Sequence, residues 1–267
     1  MAKKRDIPVF AHPLIETHCH LDYLEGIALN EALQAANAAH IERIITIAVS
    51  PDNLDTVMQL AQQHPQVWGT QGIHPHDADN YDDAVEAHIR ANAPHEKIVA
   101  IGEIGLDYHY DFSDRAKQRA AFERQLQIAA DLNLPIVVHT RDADADTQAI
   151  LRDFVAHLPK RGVIHSFTSG QALAEYCLSE GFSLGFNGIS TFKQAENVRD
   201  IIALTPVDKI LFETDSPYLT PMPYRGRKNE PKYLPFVVEQ VASTKNIDLD
   251  TLLPQVWQNS MELFFAA

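Results

Sequence analysis

The chain has 267 residues, of which 45% are hydrophobic and 22% are charged. This composition is typical of a packed protein and excludes wholesale disorder as well as collagen-like or coiled-coil rods. The 22 Lys and Arg residues against 36 Asp and Glu residues give a formal net charge of −14. Because no overall basic field attracts nucleic acid or membrane, an anionic substrate must be held by local cations, either basic loops or bound metal.

The sequence shows neither a secretory signal nor an apolar run that would span a membrane. No run approaches the ~18 consecutive apolar residues that span a bilayer, and the basic start lacks the apolar stretch of a secretory signal. Only Cys19 and Cys177 are present, which is consistent with a reducing compartment. We therefore expect a cytoplasmic protein with no membrane association, and nothing in the sequence indicates an obligate protein partner.

Short apolar runs alternate with longer amphipathic stretches along the chain. The apolar runs are nearly continuous, as expected for strands buried on both faces of a parallel sheet. The predicted strands are residues 14–17, 43–49, 67–73, 98–103, 135–139, 162–165, 182–186 and 209–213. The predicted helices are residues 52–64, 79–93, 114–133, 142–157, 169–180, 193–204, 231–244 and 249–264. Five of them begin at a residue type that caps helices, namely Asp52, Asp79, Asp114, Asp142 and Ser169.

Eight strand-and-helix units without an intervening linker predict an α/β fold, a (β/α)8 TIM barrel that forms a single domain over residues 1–267. The alternative is a doubly wound open sheet, which usually carries a glycine-rich first turn. This chain has His18, Cys19 and His20 at that place instead, which favours the barrel.

Side chains that can bind metal follow most of the predicted strands. In a (β/α)8 barrel the chemistry is built at the carboxyl ends of the strands. A His or a carboxylate ends six of the eight predicted strands, and these residues are His18, His20, His74, Glu103, His139, His165 and Asp215. Taken singly, such a His is more often a core or surface residue. Several imidazoles and two carboxylates meeting in one pocket, however, are the ligands of a metal site.

The number of these groups favours two divalent ions over one. Six ligands exceed the three protein ligands of a mononuclear catalytic zinc site, and a carboxylate can bridge two ions. We assign His18, His20 and Asp215 to one ion and His139 and His165 to the other, with Glu103 as the bridge. The donor types allow Zn, Mn or Mg.

Other polar residues near the strand ends are candidates for supporting roles. Glu213 either binds a further ion or, in the favoured interpretation, orients a metal-binding His through its second nitrogen. Arg141, Arg225 and His74 are candidate contacts to a phosphate-bearing substrate. Asp107 caps a loop or polarises a ligand. Aromatic residues near the same loops either stack on bases or pack, and they are Tyr108, Tyr110, Phe167, Tyr218 and Tyr224.

An ordered set of motifs over most of the chain resembles the TatD family of metal-dependent deoxyribonucleases. The motifs are THCHLD (17–22), GIHP (72–75), GEIGLDY (102–108), VVHTRD (137–142), HSFTSG (165–170) and ETDSPY (213–218). The resemblance implies an amidohydrolase-type barrel, a two-ion site on the same six ligands, and hydrolysis of phosphodiester bonds. Glu16 and Ser166 depart from the usual family residues, and residues 1–12 form an N-terminal extension beyond the usual family start.

Two functional hypotheses follow. The first is a deoxyribonuclease that removes nucleotides from a DNA end through a two-ion-activated water, with Glu103 and Asp215 as catalytic residues and Asp215 accepting or orienting the water proton. The alternative is a small-molecule amidohydrolase, lactonase or phosphotriesterase that uses the same metal site. Such enzymes often bridge their ions with a modified Lys on the fourth strand, so Glu103 favours the nuclease.

Overall fold

Eight parallel strands pair in sequential order and form a nearly closed barrel in the computed structural model, which describes residues 5–266. The strands are β1 (Leu14–Cys19), β2 (Ile41–Thr46), β3 (Val67–Gln71), β4 (Ile98–Asp107), β5 (Ile136–Arg141), β6 (Gly162–Ile164), β7 (Ser183–Phe186) and β8 (Ile210–Phe212). The barrel closes where the Thr17 hydroxyl donates to the Phe212 carbonyl and the Asp215 N–H donates to the His18 carbonyl. The predicted single-domain (β/α)8 fold is confirmed.

The helices follow the strands and surround the barrel. They are α1 (Leu29–Ala38), α2 (Leu54–Gln63), α3 (Asp83–Asn92), α4 (Arg115–Leu132), α5 (Asp144–Phe154), α6 (Gln171–Ser179), α7 (Glu196–Leu204), α8 (Leu234–Lys245) and α9 (Leu249–Ser260). The prediction did not include α1, which is rich in alanine and begins after Ala28 without a capping side chain. Between residues 5 and 266, no helix combines the length and the apolar character needed to cross a membrane.

One of the five predicted helix caps is correct. Asp114 accepts hydrogen bonds from the first-turn N–H groups of α4, whereas α3 is capped by Asp82. Asp142 has a positive φ of 54°, which is not the extended conformation of a capping residue. Among the described residues, no capping bond is made by the other predicted caps, Asp52, Asp79, Asp142 and Ser169.

The end of the chain covers the amino-end mouth of the barrel. Phe264 is buried in the cluster that fills the barrel interior, together with side chains of β2, β4, β5, β6 and β8. The next ring, Phe265, packs edge-on against Trp68 near the start of β3, and the Arg43 guanidinium lies over both rings. The opposite mouth, at the carboxyl ends of the strands, is therefore the one available for chemistry.

The predicted N-terminal extension, residues 1–12, lies partly outside the described residues, since residues 1–4 are not described. Arg5 forms an ion pair with Glu239 on α8, and its carbonyl accepts a hydrogen bond from the Tyr224 hydroxyl. The Phe10 carbonyl lies 2.9 Å from His40 Nδ1. These contacts hold the described part of the extension against the barrel wall.

An irregularity in β4 sets the direction of Glu103. The prediction ended this strand at Glu103, but β4 continues to Asp107. Its pairing with β5 shifts register between Ile101 and Ile104, and such bulges re-aim side chains. Gly105 follows with a φ of +137°, and a Cβ there would lie 1.9 Å from the His139 carbonyl oxygen. Only glycine fits this close approach of β4 to β5.

Candidate active site

Glu103 lies at the centre of a group of imidazoles. Its buried Oε1 is 2.9 Å from His165 Nε2, 3.0 Å from His139 Nδ1 and 3.4 Å from His74 Nε2. Its Oε2 is 3.4 Å from His18 Nε2. The two oxygens of the Glu103 carboxylate therefore face different histidines.

Asp215 forms a second group beside the first. Its Oδ1 lies 3.4 Å from His20 Nε2 and 3.7 Å from His18 Nε2, so His18 stands between the two carboxylates. The donor atoms fall into three groups in which all lie within 4.8 Å of one another. These groups are His18/His20/Asp215, His18/Glu103/His165 and His74/Glu103/His139.

Several of these buried ring nitrogens fit a metal ion better than any protein partner. Among the described residues, both nitrogens of His18 and Nδ1 of His20 are buried without a hydrogen-bond partner, whereas Nδ1 of His165 faces Glu213. The rings of His18 and His165 stack at 3.8 Å with an angle of 7° between them. Nitrogen lone pairs beside carboxylates are ligands for divalent transition metals, so the residues present fit such ions.

Burial and mutual charge fix the protonation of the group. Burial by itself would raise the pKa of Glu103, but the charges of His165, His74 and His18 lower that pKa well below its ordinary value. Burial lowers the pKa of His74 well below its ordinary value, and it also lowers the pKa of His18. Burial by itself would lower the pKa of His165, but the charges of Glu103 and Glu213 raise that pKa well above its ordinary value, so an ion that binds His165 must displace its proton.

Asp107 holds the outer nitrogen of His139. Its Oδ2 lies 3.0 Å from His139 Nε2 and 3.0 Å from His76 Nε2, while its Oδ1 accepts from the N–H groups of His109 and Tyr110. Burial raises the pKa of Asp107, but its bonds to His139 and His76 outweigh that effect and lower it. The sequence left two roles open for Asp107, capping a loop and polarising a ligand, and its two oxygens make both kinds of contact.

Glu213 is buried behind His165. Its Oε1 accepts from the Ser166 N–H at 2.6 Å and lies 3.4 Å from both the Asn187 amide nitrogen and His165 Nδ1. A Cβ at Gly185 on β7 would come within 2.4 Å of Glu213 Oε2. Gly185 on β7 thus leaves space for Glu213, and Asn187, directly after β7, contacts it. The sequence prediction identified neither Gly185 nor Asn187.

A pocket of about 1170 Å³ opens over these groups at the carboxyl ends of the strands. Glu103, Asp215 and five histidines line it (His20, His74, His76, His139 and His165), whereas the buried His18 and Glu213 are not part of the lining. Among the described residues, Arg141 is the one Lys or Arg side chain in the lining. Arg225 is outside the lining, and its guanidinium lies 4.1 Å from the ring of Phe192, a residue of the pocket wall.

Comparisons with known proteins agree with this geometry. A family model described as TatD related DNase matches residues 15–265. An uncharacterized metal-dependent hydrolase, YabD of Bacillus subtilis, is 36% identical over 252 residues, which cover 94% of this chain and 98% of that protein. The protein named 3'-5' ssDNA/RNA exonuclease TatD in Erwinia amylovora is 36% identical over 241 residues, which cover 88% and 93%.

Solved structures share the architecture. The crystal structure of YJJV, a TatD homologue from Escherichia coli, matches with a TM-score of 0.88 and 28% identity, covering 95% of this chain and 98% of that one. An organophosphorus hydrolase from Deinococcus radiodurans matches with a TM-score of 0.64 and 13% identity, covering 95% and 93%, which shows a common fold alone. The resemblance found in the motifs is thus confirmed: the chain belongs to the TatD family and is a metal-dependent hydrolase acting on ester bonds.

Proposed function

We propose that this hydrolase is an exonuclease that cleaves phosphodiester bonds at a DNA end with two divalent ions. The observation that supports this most directly is the position of Glu103, whose two oxygens face different histidines. A carboxylate so placed is suited to bridge two cations, and paired cations are common in phosphodiester hydrolysis. Relatives that carry the name 3'-5' ssDNA/RNA exonuclease support the nucleic acid substrate.

Hydrogen bonding divides the histidines into ligands and substrate contacts. The Nε2–H of His139 donates to Asp107, which leaves its Nδ1 lone pair directed to Glu103. In His74 the order is reversed, because Nδ1 accepts from the His76 N–H and the ring proton must be on Nε2. His139 is therefore suited to bind an ion, and His74 to donate a hydrogen bond to a substrate phosphate.

The proposal keeps the ligand assignment made from the sequence. His18, His20 and Asp215 would hold one ion, His139 and His165 would hold the other, and Glu103 would contribute to both. When bound, the ions supply an acidified water and positive charge beside the phosphate. Asp215 lines the pocket and accepts the proton of the attacking water. Glu213 keeps His165 in place, while Arg141 and, from outside the pocket lining, Arg225 contribute positive charge toward flanking phosphates.

The test uses end-labelled single-stranded DNA with Mg²⁺, Mn²⁺ or Zn²⁺ added to chelated protein. Asp215→Asn should reduce cleavage by about 100- to 10,000-fold, the usual contribution of a general base. Metal content is measured in parallel to separate proton transfer from ligand loss. The control is Asp144→Asn, which changes a carboxylate in the pocket lining that accepts a hydrogen bond from the Gly170 N–H. Undiminished cleavage by Asp215→Asn with metal bound would remove the proposed role.

The same assay settles whether the substrate is a small ester instead. The pocket volume of about 1170 Å³ is large enough to hold a small molecule, which is the observation that favours a lactonase or phosphotriesterase. Wild-type protein is incubated with a lactone and phosphotriester panel under the same metal conditions. Turnover of the panel with no cleavage of DNA or RNA would replace the nuclease proposal.

A further inference from the structure

Two exposed aromatic rings stand side by side at the wall of the active-site pocket. Tyr110 and Phe112 lie in the loop between β4 and α4, line the pocket, and remain 49% and 66% exposed. Their rings stack with centroids 5.4 Å apart and planes inclined by 26°. Large apolar side chains left exposed beside a binding pocket commonly mark a contact surface. We call Tyr110 and Phe112 the aromatic platform.

Surrounding groups hold the aromatic platform in place. The ring of His76 packs edge-on against Tyr110 at 5.5 Å and against Phe112 at 4.8 Å. The Tyr110 N–H donates to Asp107, and the Arg141 guanidinium lies 5.1 Å from the Tyr110 ring centroid. The platform is therefore built before any ligand arrives, and little conformational entropy is lost on binding.

The platform is joined to the reacting centre through one carboxylate. His76, which touches both platform rings, shares Asp107 Oδ2 with His139 at 3.0 Å each. The rings of His76 and His139 have centroids 6.3 Å apart. Because Glu103, Tyr110 and Phe112 line the same pocket, a nucleotide whose phosphate lies at Glu103 can place a neighbouring base on the platform.

The other aromatic candidates from the sequence do not offer free faces in the same way. Phe167 is buried, and Tyr108 and Tyr224 are outside the pocket lining. Tyr218 is exposed in the pocket, but its ring contacts the proposed ligand His20. Replacing Tyr218 would thus disturb metal binding and stacking together, whereas the platform can be altered separately.

Charge makes aromatic contact important in this protein. The chain has a formal net charge of −14, and the pocket lining includes the carboxylates of Asp77, Asp142 and Asp144. Attraction of phosphates by a broad basic surface is therefore weak. Stacking of bases on aromatic rings needs no protein charge and tolerates any base, but the base must be unpaired to expose its face.

We propose that the aromatic platform receives an unpaired base next to the cleaved phosphate, and that it makes the enzyme selective for single-stranded ends with little base preference. This inference rests on the proposed nuclease function and adds the residues that select the substrate. Tyr110 and Phe112 act as specificity residues, since they contact the substrate but no reacting atom. Their loss should raise KM and leave kcat nearly unchanged.

The test compares wild type with Phe112→Ala, Tyr110→Ala and the double variant on a single-stranded oligonucleotide. A matched oligonucleotide carries abasic residues at its terminal positions. We expect KM for the normal oligonucleotide to rise about 10-fold for a single variant and about 100-fold for the double variant. KM for the abasic oligonucleotide should be the same for all proteins. Phe112→Trp should keep the wild-type KM. Phe112→Leu, which keeps apolar area without a π face, should raise KM as Phe112→Ala does.

The control variant is Val9→Ala, which removes an exposed apolar side chain away from the pocket. Equal KM increases on normal and abasic oligonucleotides, or a fall in kcat alone, would overturn the stacking role. Quenching of 2-aminopurine in a terminal position, measured with chelator present, reports stacking without hydrolysis. If wild type quenches the probe but cleaves no oligonucleotide, the nuclease proposal fails and the platform remains. If cleavage occurs and the double variant quenches as wild type does, the platform proposal fails.

Discussion

Asp107→Asn tests whether the outer contacts of a metal ligand control the site. Asp107 Oδ1 accepts two backbone N–H groups of the following loop, and Oδ2 lies 3.0 Å from the Nε2 atoms of His139 and His76. The two backbone N–H groups and the two imidazole Nε2 atoms therefore all act as hydrogen-bond donors to Asp107. An asparagine has one side-chain oxygen and one NH₂ group. The NH₂ group donates hydrogen bonds, yet it must face either the two backbone N–H groups or the two imidazoles.

The expected loss of metal affinity lies toward the high end of the range that is usual when a hydrogen-bond partner of a metal ligand is removed. If the amide nitrogen faces His139, the imidazole must accept at Nε2 and carry its proton on Nδ1. That proton then occupies the lone pair that lies 3.0 Å from Glu103 and that we assign to the metal. Loss of an outer partner commonly costs 10- to 100-fold in metal affinity, and this forced tautomer change predicts about 100-fold, or about 2.7 kcal/mol.

Calorimetric titration of chelated protein with Zn²⁺ or Mn²⁺ measures this effect. The control is Asp142→Asn, which removes a solvent-exposed carboxylate of the pocket lining that lies 3.0 Å from the His109 imidazole. We expect less than about a twofold change for the control, because exposed ion pairs contribute little. Wild-type metal affinity in Asp107→Asn, or equal losses in both variants, would refute the reasoning.

Three further changes test other parts of the structure. Gly185→Ala places a Cβ 2.4 Å from Glu213 Oε2 and should lower metal affinity about 10-fold in the same titration. Phe264→Ala leaves a cavity in the barrel interior and should lower the unfolding free energy, measured in urea, by about 3–5 kcal/mol. The exposed substitution Glu262→Ala should cost about 0.5 kcal/mol or less. Burial raises the pKa of Glu16 from 4.5 to about 8, so metal-free protein should lose stability as pH rises between these values, by at most about 1.4 kcal/mol per unit. Glu16→Gln should remove this slope. Parallel profiles of stability against pH for wild type and Glu16→Gln would contradict the prediction.

The barrel was predictable from the sequence because its strands are buried on both faces. Apolar runs such as residues 98–103 are read directly as parallel strands, and the carboxyl end of each run then locates the site. The ends of strands and helices were less predictable. The register shift within β4 and the positive φ of Asp142 depend on neighbouring strands and turns, which leave no local signal in composition.

The candidate site was predictable as a set of residue types but not as a hydrogen-bond network. Strand ends identify His74, His139 and Glu103, and the structure brings these side chains together. Their different proton positions depend on Asp107 and on the His76 N–H, which are three-dimensional contacts. The prediction that Arg225 contacts substrate came from a basic run after β8. That run lies outside the pocket lining, so the role of Arg225 stays a prediction.

The scarcity of basic side chains leads to a final prediction about salt. Each phosphate contact by Lys or Arg steepens the dependence of log affinity on log salt by about 0.7 for single strands. Arg141 is the one such residue in the described pocket lining, so Arg141→Ala should make the slope shallower by about 0.7. Arg225→Ala should change it less. Anisotropy of a labelled phosphorothioate oligonucleotide with Mn²⁺ across a salt series measures both slopes. If the slope is unaffected by Arg141→Ala, positive charge for the substrate comes from elsewhere, and the bound ions become its main source at an otherwise acidic pocket.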